Sequence, residues 1–486
     1  MKFYPSLTFL LSCLLLTINT SRAGVEIYDY PSEAPRAADF EVTVNGAPVF
    51  VYNTAIAAVA AFGIDGKAEI RVKPKKPFQN VIIRPLADNV RSTTDHGEIA
   101  FTIDAPIQLS LELDNDIGRP LFIFGNRPEK RPANLADSNL IYFAPGKVHR
   151  AEEILLTTGK TLYLAGGAIV EGYIRAEGAE NIKIEGPGIL CGTYRTESKV
   201  RMVSITACKN VEIRDLLMID TLGWTMHLNH SQNILVEHVK QVCWRANSDG
   251  IDVDASSQVR ISDCFLRNND DCIAVKCSRR EGLKTASGLL VERCVLWNGV
   301  PGNALEIGFE LRAERVSDLV FRDCDIIRIE RGAAFSIHNA DSAVVENVTF
   351  ENIRLEDVRG EFADIHVGLS RYSEDSPEIY FRGNPKRIPI PNELRDPSIG
   401  TTSEHWIMPP DRSVHAAKRG SIKNIKFENI SVYGEQLPPS FFIGYDADHQ
   451  IDNVTFHKIR VGGKTINEWP PVNAKIREAT AIRFVD

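Results

Sequence analysis

Two short stretches concentrate residues that could do acid–base chemistry. Asn247-Ser248-Asp249-Gly250-Ile251-Asp252 is followed by Asn269-Asp270-Asp271-Cys272-Ile273-Ala274. Asp249 and Asp270 are 21 residues apart. If the chain coils with a period near that length, Asp249 sits on the rung beside Asp270 and Asp271. Three carboxylates then share one face. Like charges that close cannot all ionise, so at least one carboxyl pKa rises. A carboxyl that keeps its proton near neutral pH is a general acid, and an ionised neighbour is a base. Hydrolysis of a glycosidic bond needs one of each. Adjacent residues in a straight strand point to opposite faces, so Asp270 and Asp271 share a cleft only if the chain bends there. Asn268-Asn269 suits such a corner. Asp252 and Asp254 read as carboxylates capping coil corners. Three carboxylates are also a calcium pattern. The hydrolytic reading is the one adopted, and it requires neither a metal nor a cofactor.

The coil itself is written in a repeat. One seven-residue phrase returns as NVEIRDL (Asn210–Leu216), NILVEHV (Asn233–Val239), QVRISDC (Gln258–Cys264), GLLVERC (Gly288–Cys294) and DLVFRDC (Asp318–Cys324). It recurs as NVTFENI (Asn347–Ile353), NIKFENI (Asn424–Ile430) and NVTFHKI (Asn453–Ile459). Successive starts differ by 23, 25, 30, 30, 29, 77 and 29 residues. A strand this short cannot bury its apolar face alone, whereas stacked coils of a parallel β-helix bury it. No helical period links the strands, which argues against a leucine-rich repeat. The expected fold is all-β: a right-handed parallel β-helix over residues 140–486. Cys264, Cys294 and Cys324 fill one apolar place in three successive phrases. That pattern favours packed thiols inside the helix over disulfides, although one bridge between neighbouring coils stays open.

Ahead of the repeat, residues 24–126 alternate in short strands such as Phe40-Glu41-Val42-Thr43-Val44 and Glu69-Ile70-Arg71-Val72, the pattern of a small β-sandwich. Residues 127–139, rich in Pro, Arg and Asn, read as a linker. Residues 1–23 read as a signal peptide: Lys2, an apolar run from Leu7 to Ile18, then Ser21-Arg22-Ala23. Leu11-Ser12-Cys13 leaves a lipoprotein as the lesser alternative. A secreted or periplasmic location follows, with no membrane span. Apolar residues make up 43% and charged residues 25%, with a net charge of −8 and no long basic run. Nucleic acid is therefore not an expected partner; a polysaccharide or oligosaccharide is, and the chain is expected to act as a monomer.

At the aspartates the sequence resembles the polygalacturonase family, glycoside hydrolase family 28. That family carries Asn-Thr-Asp and then Asp-Asp about one coil later. Asn247-Ser248-Asp249 and Asp270-Asp271 match in type and spacing, and the likeness extends locally through Trp224, His227 and the run to Lys276. It covers residues 140–360. The resemblance implies a right-handed β-helix and hydrolysis with inversion, with Asp270 as general acid and Asp249 and Asp271 activating water. Two departures stand out. The family's Gly-His-Gly falls at Gly302-Asn303-Ala304, and its Arg-Ile-Lys falls near Ala334-Phe335-Ser336. Both basic motifs, which hold the galacturonate carboxylate, are absent, so a neutral or differently charged sugar is expected. Glycoside hydrolase family 49, the dextranases and isopullulanases, is similar in a second way: it shares three aspartates and sets a β-sandwich before its β-helix.

Asn303, Glu306, His227, Lys276 and His338 are the candidate substrate-binding residues. Glu306 lies one coil beyond the aspartates, and His338 lies near the lost basic motif. Glu310, Trp224, Trp244 and Arg245 are weaker candidates. A long excursion over residues 360–420, with Tyr372, Tyr380 and Trp406, could wall a groove. A smaller one starts at Ser278. The substrate is a pectin-like polysaccharide or an α-glucan. Two other functions fit the scaffold: a polysaccharide lyase, and a non-catalytic carbohydrate-binding protein.

Overall fold

A computed structural model of the chain describes residues 24–194, 200–278, 285–381 and 384–485. The signal-peptide reading and most of the smaller excursion, residues 279–284, lie outside the described residues.

The first hundred described residues form two sheets. One is ordered from strand Gly24–Ile27 through Ala58–Asp65, Leu121–Asn126 and Ile107–Leu113 to Val81–Arg84. The other is built around Phe40–Val44, Ala68–Pro74 and Glu98–Ile103. Strict alternation in Ala68–Pro74 buries Ala68, Ile70 and Val72 and exposes Glu69 and Arg71. Those apolar faces meet Phe62, Ile64, Leu109, Leu121 and Ile123 across a shared core, which makes a sandwich. Leu121–Asn126 is buried along its whole length, because its second face, Phe122 and Phe124, packs on Phe265 and Trp297 of the following coils. A strand covered on both faces has no reason to alternate.

From Leu140 onward the strands that stack coil on coil are parallel, and only the short pairs Leu369–Ser370 with Trp406–Ile407 and Ile459–Val461 with Lys464–Ile466 run antiparallel among the described residues. The seven-residue phrase forms one long sheet: Lys209–Arg214, Gln232–Glu237, Ser257–Ser262, Thr285–Glu292, Arg315–Arg322, Val344–Glu351, Ser421–Glu428 and Ile451–His457 succeed one another in register. The phrase's leading Asn residues adopt left-handed φ, such as 55° at Asn210 and 56° at Asn233. Asparagine tolerates that conformation and bonds its neighbours. Asn233 Nδ2 donates to Asn210 Oδ1 at 2.7 Å, and Asn210 Nδ2 to Asn181 Oδ1 at 2.8 Å. Cys264, Cys294 and Cys324 point inward, and all the described cysteines are buried free thiols. Phe321, Phe350, Phe427 and Phe456 stack up the interior with centroids 4.7–5.2 Å apart.

The long excursion starts later than expected. Glu361–Val367 pairs with Ala333–Asn339 and Ser440–Ile443 as a regular rung, so the chain leaves the helix only after Val367. Its own small core joins Leu369, Tyr380, Ile390 and Ile407. Among the described residues no helix is long and apolar enough to cross a membrane. The phenylalanine stack holds the coils from within, so Phe427→Ala, which empties its middle, should lower unfolding stability by about 3–5 kcal/mol. Denaturant titration of the variant checks this; a loss under about 1 kcal/mol would mean the coils collapse onto the gap.

Candidate active site

The chain bends at Asp270–Cys272, between strands Phe265–Asn268 and Ile273–Cys277. The bend releases Asp270 and Asp271 from strand alternation. The coil before places its own corner alongside: Gly250 N–H donates to Asp271 O at 2.8 Å. The coil after does the same, with Cys272 N–H donating to Asn303 O at 2.9 Å. Ser248 Oγ accepts from Asn269 N–H at 3.1 Å, which ties the two aspartate-bearing corners together. Asn298 Nδ2 donates to Asp270 O at 2.8 Å. Gly302, at φ +83°, lets the third corner close in: a Cβ there would stand 2.3 Å from Asp271 N. As a result one carboxylate oxygen from each of Asp249, Asp270 and Asp271 lies within 4.8 Å of the others.

These carboxylates form the floor of a cleft of about 980 Å³. Trp224 and Arg201 line one end, and Arg331 and Glu310 stand over the next coils. The excursion supplies a wall with Tyr372, Phe381, Arg387 and His405. Arg201 stacks over Trp224 at 4.7 Å, and Arg387 over Phe381 at 4.9 Å.

Burial shapes the charges. Asp249 and Asp271 are 4% and 7% exposed, and Asp270 is somewhat more open. Burial pushes the Asp249 carboxyl well above the usual range, and the charges of Asp270 and Asp252 add to it. Burial, then the Glu306 charge, pushes Asp271 up to about 8. Asp270 is raised too, by burial against the pull of Lys276. Lys276 is the counter-charge, with Nζ 3.8 Å from Asp271 and 3.9 Å from Asp252. Burial opposes its charge, but Glu310, Asp271, Asp252 and Asp249 more than offset that and hold the ammonium well above its ordinary pKa. Three carboxylates this close could hold a hard cation; here Lys276 supplies positive charge to the same oxygens.

The expected binding residues divide. Asn303 and Lys276 line the cleft, as do Trp224 and Glu310. Asn303 donates to Asp271 Oδ1 from its backbone N–H at 2.7 Å and its amide at 3.3 Å. His227, Glu306 and His338 do not reach the cleft. They point outward from their strands, yet they are covered. His227 pairs with Asp254 at 3.2 Å, and Glu306 pairs with His338 at 3.0 Å, both of the latter being 0% exposed. Outward on this face means beneath the cleft floor and its walls, which sequence alternation cannot distinguish from solvent. Asp254 likewise serves His227 and Ser278 N–H rather than a corner cap, and those partners hold its pKa down to about 2 against burial. Trp244 is exposed and outside the cleft lining. Sequence reading missed Arg201, Arg331 and Arg387. They sit on three separate segments, and no motif marks them.

A carboxyl with a raised folded-state pKa binds a proton that the unfolded chain releases above about pH 4. Its stabilisation is complete below that pH and is lost as pH rises through the folded value, about 8 for Asp271. Asp271→Asn should therefore raise the melting temperature at pH 8 more than at pH 4. Calorimetry at both pH values checks it, and an equal or reversed change would show that Asp271 is not held protonated.

Residues 161–367 match the family described as Glycosyl hydrolases family 28. An exopolygalacturonase of Arabidopsis thaliana is 24% identical over 216 residues, 43% of this chain and 45% of its own. A probable polygalacturonase of Vitis vinifera is 30% identical over 77 residues, 15% of this chain and 16% of its own. The chain thus spans less than half the length of these curated relatives. Among solved structures, Dex49A from Penicillium minioluteum superposes with a TM-score of 0.65 at 15% identity, over 90% of this chain and 92% of that one. A family 28 exopolygalacturonase of Yersinia enterocolitica gives 0.50 at 12% identity, over 96% and 95%. At such identities the structural likeness speaks for the fold alone. The stretch that carries the aspartate cluster therefore matches glycosyl hydrolases family 28 in sequence, on a β-helical fold shared with Dex49A.

Proposed function

We propose that this chain hydrolyses glycosidic bonds of a pectin-like polysaccharide whose sugars carry carboxylates. The observation that carries the reading is the stacked corner of Asp249, Asp270 and Asp271 on the floor of a large cleft. Asp270 is the most open of the three and has a raised pKa, so it keeps a proton to give. It protonates the glycosidic oxygen as the bond from that oxygen to the anomeric carbon breaks. Water forms the new bond to that carbon and passes its proton to Asp249 or Asp271. Asp271 accepts that proton only in its ionised form, which two N–H donors from Asn303 favour but which burial and the Glu306 charge delay until about pH 8. Asp249 Oδ1 is buried and has no hydrogen-bond partner among the described residues. Inversion is the outcome that the family resemblance implies.

The arginines support this substrate class. The missing basic motifs pointed to a neutral or differently charged sugar, but Arg201, Arg331 and Arg387 bring positive charge into the cleft from other segments. Guanidinium groups bind carboxylates in paired hydrogen bonds. The relatives named polygalacturonases fit the same substrate class. A lyase is disfavoured because it needs a neutral base, and Lys276 is held charged. Export, expected from residues 1–23, suits a polymer that stays outside cells.

Asp270→Asn should fold normally and lose at least about 10²–10⁴-fold in turnover; a variant that turns over near the wild-type rate places the acid elsewhere. Proton NMR of the first product should show an inverted anomer. Retention would make one of the close aspartates a nucleophile. Arg331→Ala and Arg387→Ala should each raise KM on galacturonate oligomers by about tenfold or more and leave neutral α-glucans unaffected. Faster cleavage of an α-glucan than of polygalacturonate by the wild type would overturn the carboxylate assignment.

A further inference from the structure

Beneath the cleft floor runs a line of buried polar groups. It begins at Asp271 Oδ1, which accepts from the Asn303 backbone N–H and amide. The same Asn303 amide donates to Glu306 Oε2 at 3.0 Å, and Ser336 Oγ donates to that oxygen as well. Glu306 Oε1 meets His338 Nδ1 at 3.0 Å, and His338 Nε2 lies 3.1 Å from Asp364 Oδ2. Asp364 Oδ2 accepts from Thr402 Oγ1 at 2.5 Å. Asn303 and Thr402 both line the cleft. The line therefore leaves the aspartate corner, passes under the floor and re-emerges in the excursion wall.

Register explains how it forms. Glu306, Ser336 and Asp364 stand in one vertical row on three successive coils, and His338 stands in the next row between Gly308 and His366. Gly308 offers no side chain below His338. The ring instead stacks on Phe309, with centroids 4.4 Å apart. Nδ1 is hydrogen-bonded to Glu306, and Nε2 lies within ion-pair distance of Asp364 without a hydrogen bond, so a protonated ring between two carboxylates is the form the site favours. A neutral ring would set a lone pair against a carboxylate in a buried site. Burial opposes the charge, but Glu306 and Asp364 more than offset it and raise the His338 pKa to about 10. The other titratable groups around it are Glu361, His366 and His405. Glu361 binds Thr401. His366 and His405 are pushed down, by burial first and by the His338 charge as well, so they stay neutral.

We propose that His338 is a positioning residue for the reaction at Asp271: as a doubly protonated ring it holds Glu306 as a carboxylate, Glu306 holds the Asn303 amide, and Asn303 fixes Asp271. Through Asp364 the same ring anchors Thr402 in the cleft wall. This rests on the reading above that Asp271 helps to activate water. Removing the cation takes away the hydrogen-bonded counter-charge of Glu306, and Glu306 is then neutralised by a proton. The Asn303 amide then loses its contact with an ionised Glu306 and is held only by Asp271 and the Ala333 N–H. The Glu306 charge that pushes the Asp271 carboxyl upward is lost, so Asp271 ionises at lower pH.

The test follows Asp271 directly. Protein labelled with carboxyl-13C aspartate is titrated by NMR, with the Asp271 signal assigned by its absence in Asp271→Asn. In the wild type the Asp271 midpoint should lie near 8. In His338→Gln it should fall by about one unit or more. The acid limb of the kcat profile should move the same way, with kcat down about 10- to 100-fold and KM changed far less. His338→Lys, which returns one positive charge, should restore the midpoint part-way. Glu306→Gln keeps the shape, should lower the midpoint as His338→Gln does, and serves if the latter fails to fold. A purely structural role would lower the melting temperature and leave the midpoint and the pH profile in place. An unmoved midpoint in a folded variant overturns the proposal whether or not turnover is detected. A shifted midpoint in a protein that cleaves no glycan supports the clamp and removes the hydrolytic reading instead.

Discussion

Stacking at about 4.8 Å per coil forces whatever stands at one corner into contact with the corners above and below. In most of this helix the stacked places hold groups that gain from meeting themselves. Asparagines bond asparagines, phenylalanines stack on phenylalanines, and thiols pack on thiols. At three adjacent corners the same rule stacks Asp249, Asp271 and Asn303, with Asp270 beside them. There the repeat works against stability, because carboxylates repel and are buried. The strain is met by protons and by counter-charge, and those are the properties that acid–base chemistry uses.

Two buried cations make the arrangement tolerable. Lys276 lies among Asp271, Asp252 and Asp249, and His338 lies between Glu306 and Asp364. A buried ion pair contributes little net stability compared with apolar packing, but breaking one by removing a partner is costly. Their value here is geometric. Each holds carboxylates in fixed orientation on neighbouring coils; Lys276 pairs with the aspartate corner directly, and His338 reaches it through Glu306 and Asn303. Asn303 joins the two systems, since its amide touches Asp271 on one side and Glu306 on the other.

The excursion after Val367 turns a flat helix face into a cleft. It has its own apolar core, so its wall is held by packing rather than by the substrate. It also covers Glu306, His338 and Asp364, which would otherwise stand on an open sheet face. Burial of that polar row and formation of the cleft are therefore one event. The sandwich sits elsewhere, with Phe122 and Phe124 packed on Phe265 and Trp297, where it shields another face of the coils and takes no part in the cleft.

The β-helix was legible because its determinant is local. Each phrase repeats the same alternation, and the same residue must fill the same place in every coil. The aspartate corner was legible for a related reason: one coil of spacing between Asp249 and Asp270 fixes their vertical neighbourhood. Sideways position and cover were not written that way. The 4.8 Å closeness of the three carboxylates depends on how Gly302 lets a third corner approach. The difference between Asn303 in the cleft and Glu306 beneath it depends on an excursion some sixty residues further on. Alternation says only which side of a strand a residue faces. Whether that side meets water, sugar or another segment is decided when distant parts of the chain pack together. Arg201, Arg331 and Arg387 show the same limit. They meet across one cleft from three segments, and a shared field between charges exists only once the fold has brought them together.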